Sequence, residues 1–201
     1  MKKMITVTTA LMVCFASATA IAEHAYISFD ADENMVISGP FSVTIPKPPG
    51  AKIGGPQNST PSFLDEKLQV SLAGYFADDQ LVIVQVETTD AAVGTLTNEN
   101  LPVHMLGGEE FRARTLCIDI SQEALDSDDD SLFEFIEMQN VQLVPAVQAI
   151  QLVAVTEDGT GEGSILYLRN VPGGCSALTS EFEKEFNGAF ERFIGSIQAA
   201  D

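Results

Sequence analysis

The strongest constraint on this chain is a short-period alternation. From residue 25 to residue 170, apolar side chains recur at every second position in runs of five to ten residues, bounded by Gly, Asp, Asn and Pro. Successive side chains on a β-strand point to opposite faces, so such runs suit half-buried strands and are too short for core helices. The runs predict strands over 25–29, 41–45, 68–75, 81–88, 111–120, 147–156 and 164–170. Residues 157–163, with Asp158-Gly159 and two further glycines, predict a hairpin turn between the last two. Segment 46–62 is rich in Pro, Gly, Ser and Asn, which lack donors or favour turns, and it predicts a long surface loop inside the domain.

Two segments carry helical spacing. Leu178, Phe182, Phe186, Phe190, Phe193 and Ile197 recur by three or four residues, so a helix over 178–198 presents them on one face. Ser180 and Glu183 have the spacing of a capping box, with Thr179 and Ser176 as alternative starts. A shorter helix is predicted over 131–138, after a run of acids. Strands outnumber crossovers, so the pattern predicts an α+β fold: an antiparallel β-sheet covered by helices, with the long amphipathic C-terminal helix packed on the sheet.

Residues 1–22 read as a cleavable export signal: Lys2 and Lys3, an apolar run from 5 to 15, then Ala20-Ile21-Ala22. The run is short for a membrane span, and cleavage would make Glu23 the first residue of a 179-residue chain, the size of a single α+β domain over 23–201. This predicts a periplasmic or secreted protein with no membrane span after cleavage. Cys14 has bulky Val13 before it, which argues against a lipoprotein site. Only Cys117 and Cys175 then remain, and a lone cysteine pair in an oxidising compartment predicts one disulfide.

Losing Lys2 and Lys3 takes the formal charge from −19 to −21. Such a charge excludes nucleic acid as a partner, disfavours anionic lipid surfaces, and speeds encounter with a basic protein. Solubility in a salt-rich envelope explains the same charge without a partner.

Catalytic and metal signatures are sparse. Asp126, Asp128, Asp130, Glu134 and Glu137 fall at positions 1, 3, 5, 9 and 12 of a calcium loop. Ser131 stands where the loop needs glycine for its sharp turn, and the segment before it reads as a strand, not an entering helix. A solvated acidic turn in which Asp130 or Ser131 caps the next helix accounts for the same residues. The histidines are His24, beside the predicted new terminus, and His104, before Gly107-Gly108, and neither has the setting of a base. No G-x-S-x-G or nucleotide loop occurs. With 29 acids some carboxylate pairs are close by chance, and the absence of Trp disfavours a sugar-stacking cleft. No cofactor is predicted.

Phe41-Ser42-Val43-Thr44-Ile45-Pro46, the hairpin at Asp158-Gly159, and Phe190-Glu191-Arg192-Phe193-Ile194-Gly195-Ser196-Ile197 resemble the corresponding pieces of PsbP-like (DcrB-like) exported domains. Members often carry a tryptophan after the first strand's proline, where this chain has Pro48-Pro49-Gly50. The resemblance implies an α/β sandwich used as a binding or accessory module, and it carries over no catalytic residue. The expectation is an exported, non-enzymatic binding or accessory protein of the bacterial envelope, acting through its surface and the 46–62 loop on a protein partner. The alternative is an acidic periplasmic inhibitor or immunity protein that neutralises a basic toxin or enzyme. A hydrolase using unrecognised carboxylates is the third class.

Overall fold

The computed structural model describes residues 25–60, 62–63, 66–77, 80–90, 100–121, 131–141 and 145–200. In chain order the elements are β1 (Ile27–Phe29), β2 (Met35–Ile37), β3 (Val43–Ile45), β4 (Lys52–Ser59), β5 (Ser62–Phe63), β6 (Glu66–Lys67), β7 (Gln69–Phe76), β8 (Leu81–Thr88), β9 (Val103–Leu106) and β10 (Glu109–Asp119). There follow α1 (Ser131–Met138), β11 (Ala146–Val155), β12 (Gly161–Asn170), a single 3-10 turn at Cys175–Ala177, α2 (Ser180–Ile194) and β13 (Gln198–Ala199).

Strands take 49% of the described residues. A seven-stranded antiparallel sheet runs in the order β4-β7-β8-β12-β11-β10-β9, and a four-stranded sheet in the order β1-β2-β3-β13. This corrects the expected helix-covered α/β sandwich, because much of the cover on the large sheet is a second sheet and the two helices among the described residues are short. The physical reason lies in the length of its strands. β1 and β3 fall within the predicted strands 25–29 and 41–45, but β2 (Met35–Ile37) and β13 (Gln198–Ala199) have only three and two residues, too few for alternation to register, and without them the separate small sheet is not legible.

Alternation along the long strands sends two apolar sets to opposite faces. On one face Tyr75, Val82, Val84, Ile150, Leu152, Ile165 and Tyr167 meet the small sheet (Ile27, Met35, Ile37, Val43, Ile45) and Phe186, Phe190 and Phe193 of α2. On the other, Leu81, Ile83, Val147, Ala149 and Leu168 meet Phe135 and Ile136 of α1. β8 supplies both sets, which is why it reads as a nearly unbroken apolar run. Tyr75 joins the two sheets: its hydroxyl donates to the carbonyl oxygens of Glu33 at 2.8 Å and Ile45 at 3.2 Å. Burial holds this phenol above its ordinary range.

The C-terminal helix starts where Thr179 Oγ1 accepts from the Phe182 amide at 3.2 Å, with Glu181 and Glu183 in the first turn complementing the helix dipole. Its aromatic stripe surrounds Tyr167, with ring centroids 5.4 Å from Phe186, 5.6 Å from Phe190 and 5.1 Å from Phe193. The helix stops at Ile194, short of the predicted end. Ser196 Oγ donates to the Phe193 carbonyl at 2.6 Å, and Gln198–Ala199 leave as a strand paired with β3.

The predicted 46–62 loop is also corrected, since β4 occupies its middle, Lys52–Ser59. Among the described residues β4 is an edge strand that pairs with β7 alone, and its ladder shifts register between Gly54 and Gln57 around a cis Gly55-Pro56 bond. An edge tolerates proline, because a missing donor at a bulge breaks no second ladder. Gly55 is needed there: φ is +84°, and a Cβ would lie 2.7 Å from the Leu72 carbonyl oxygen. The hairpin at Asp158-Gly159 forms as predicted between β11 and β12. Asp158 Oδ1 accepts from Thr156 Oγ1 at 2.7 Å, Thr160 N at 3.1 Å and Thr160 Oγ1 at 2.8 Å, bonds that hold its carboxyl below the ordinary value.

Candidate functional site

α1 covers only one end of the outer face of the large sheet. Beyond its Leu132 the same strands turn polar side chains outward: Gln85 and Glu87 from β8, Glu162 and Ser164 from β12, Gln151 from β11 and Arg114 from β10. With Leu116, Ile118, Ala149 and Leu166 these line a cleft of about 410 Å³, apolar toward α1 and polar away from it. Each lining residue is at the period-2 position that would otherwise belong to the core.

Glu87 and Glu162 stand directly opposite one another in the β8–β12 ladder. Like charges in this relation oppose folding, so retaining both calls for a compensating use. Burial, and after it the charge of Glu87, holds the Glu162 carboxyl above its ordinary value of 4.5, with Arg114 acting in the opposite direction. Gln85 Nε2 donates to Glu87 Oε1, and Arg114 Nε donates to Gln151 Oε1 at 2.7 Å. Glu87 is thus oriented by the Gln85 amide, and the pair of carboxylates is set beside an apolar wall. That arrangement suits a cationic group carried on an apolar body.

A second, shallower groove of about 570 Å³ lies at the β11–β12 turn, among Tyr26, Pro40, Thr88, Thr156, Asp158 and Thr160. Its polar groups bond one another: Tyr26 Oη and Thr88 Oγ1 are 2.6 Å apart, and Asp158 is held by both threonines. It presents less unspent chemistry than the cleft, despite its volume.

Cys117 and Cys175 are paired, with sulfur atoms 2.10 Å and Cα atoms 5.7 Å apart, as the two-cysteine count predicts. Of the calcium-like residues, Asp126, Asp128 and Asp130 lie outside the described residues, as does the side chain of Glu134, and Glu137 is exposed on α1. The described segment upstream, Glu109–Asp119, is a strand, as the sequence predicts, and not a helix. Among the described residues no three His, Cys, Asp or Glu side chains converge as a metal site requires. His104 sits on β9 with its ring edge-on to Phe190, centroids 5.9 Å apart, a packing role. His24 and the predicted export signal lie outside the described residues.

Sequence reading missed Glu87 and Glu162. The available signal was a polar residue at a core-period position in an otherwise apolar strand, as in Leu81–Thr88, but only the strand register brings the two acids face to face. Comparison with protein-family models, with curated proteins and with solved structures finds no match to this chain.

Proposed function

We propose that this chain is an exported, non-enzymatic binding or accessory protein of the bacterial envelope, and that the cleft beside Leu132 receives a basic, partly apolar segment of a protein partner. The observation that carries this reading is the Glu87–Glu162 pair, two carboxylates opposed across a ladder and facing an apolar wall. A lysine or arginine side chain entering the cleft relieves their repulsion and lays its methylene stem on Leu116 and Leu166. The Cys117–Cys175 pair supports an oxidising compartment, and the signal-like residues 1–22 support the same destination.

The charge of the chain favours a second reading, an acidic inhibitor or immunity protein that masks a basic toxin or enzyme. Both readings place a cation in the cleft and differ in affinity and salt dependence: the inhibitor requires one tight partner whose association rate falls steeply with salt. Affinity capture from an envelope extract, at low and high salt, tests them together. Capture of a basic protein by the wild-type chain, lost with Glu87→Gln and Glu162→Gln combined, supports the cleft. Equal capture by both chains removes it from the account.

A further inference from the structure

The two edges of the large sheet are built differently. β4 is blunted by Pro56, by its register shift and by exposed Lys52, devices that stop another strand from adding. β9 has none of these within its four residues, and two of them are exposed apolar side chains, Val103 at 46% and Met105 at 63%. The Ala113 amide donates to the Pro102 carbonyl at 2.9 Å, which makes 102 and 113 a hydrogen-bonded pair. Alternation in an antiparallel ladder then makes Val103–Arg112 and Met105–Glu110 the non-bonded pairs, so the N–H and C=O of Val103 and Met105 point away from β10.

We infer that β9 is a strand-addition edge, and that its occupant is an extended basic segment of the partner protein. This rests on the basic-partner reading above and extends it to a second surface. Charge selects the occupant: a chain at −19 repels its own copy and attracts a basic segment. A second copy is further disfavoured because a four-residue seam falls well short of the roughly 1,200 Å² that a stable interface buries. A partner that also fills the cleft adds that contact to the seam. Val103 and Met105 share a strand parity, through Arg112 and Glu110, with Arg114 on the cleft floor, so the side chains of the edge lie on the same face of the sheet as the cleft.

The test is amide hydrogen exchange of the chain with a synthetic peptide of alternating lysine and valine as the probe. Saturating peptide should slow exchange at Val103 and Met105 about tenfold or more, because each outward donor gains an acceptor. Met105→Pro deletes one outward donor and should abolish the effect. Met105→Lys, which keeps the backbone intact and blunts the edge by charge, should weaken peptide binding even if the proline variant does not fold. Glu87→Gln with Glu162→Gln should leave the protection at β9 in place. No slowing at either amide overturns the proposal, and if the cleft residues alone respond, the cleft stands while the edge is lost. Slowing that rises with protein concentration in the absence of peptide overturns it in favour of a second copy.

Discussion

The Cys175 amide donates to Asp119 Oδ1 at 2.8 Å, two residues along β10 from the cysteine to which Cys175 is bonded. The segment leading into α2 is therefore fastened to β10 twice, once covalently and once by a charge-assisted hydrogen bond.

The bond between Cys117 and Cys175 closes a separation of 58 residues. In the chain-entropy model a loop of that length stabilises the fold by roughly 4 kcal/mol, a large part of a domain's usual margin of about 5–15 kcal/mol. Cys117→Ser and Cys175→Ser should lower Tm by similar amounts, and the double variant should be little worse, since each removes the same bond. Thiol titration of denatured, unreduced protein is the direct check. Two free thiols per chain would contradict the pairing.

Phe190 is buried against Tyr167 and belongs to the stripe that holds α2 on the large sheet. Phe190→Ala removes that ring from a packed aromatic cluster and should cost about 3–5 kcal/mol. Phe182 lies at the rim, stacked on Phe186 and beneath the Arg169 guanidinium, so Phe182→Ala should cost distinctly less. Urea unfolding of both variants measures the difference, and equal losses would argue against the packing described.

Much of this stripe was legible from sequence because a four-residue period over twenty residues has one cheap explanation, an amphipathic helix. The long strands were legible for the same reason. What sequence concealed were features fixed by partners distant in the chain. β4 exists because its proline falls at an edge, and nothing within 46–62 says which side of a sheet that segment will occupy. The small sheet takes its last strand from Gln198–Ala199, more than 150 residues after β3, so no local pattern announces it. Glu87 and Glu162 are ordinary acids until β8 and β12 pair in register.

The Glu162 carboxyl is held above its ordinary 4.5, so between that value and the raised one the folded chain keeps a proton that the unfolded chain has lost. The stability from that retained proton is complete below the ordinary value and is lost as pH rises through the raised one. Glu162→Gln should therefore raise Tm at about pH 7 and have little effect in acid below the ordinary carboxylate range. Asp30 and Asp158 act in the opposite sense. Hydrogen bonds lower both, so their contribution is lost as pH falls below the ordinary aspartate value. Thermal melts across this range decide it, and a Glu162→Gln chain that melts lower at about pH 7 would show that the ionised carboxylate is stabilised in the fold.

Export predicts a processed chain. Mass spectrometry of protein recovered from the cell envelope should give Glu23 as the first residue, from the signal pattern of residues 1–22. Full-length chain confined to the cytoplasm would contradict it.

Whether the Glu87–Glu162 cleft receives a basic partner is decided by the association rate of the captured partner with the wild-type chain and with the Glu87→Gln, Glu162→Gln chain, across a salt series. The rate should fall steeply with salt, and the double variant should bind about tenfold or more weakly with no fall in its Tm. A double variant that binds the partner as tightly as wild type, with the same salt dependence, would contradict it.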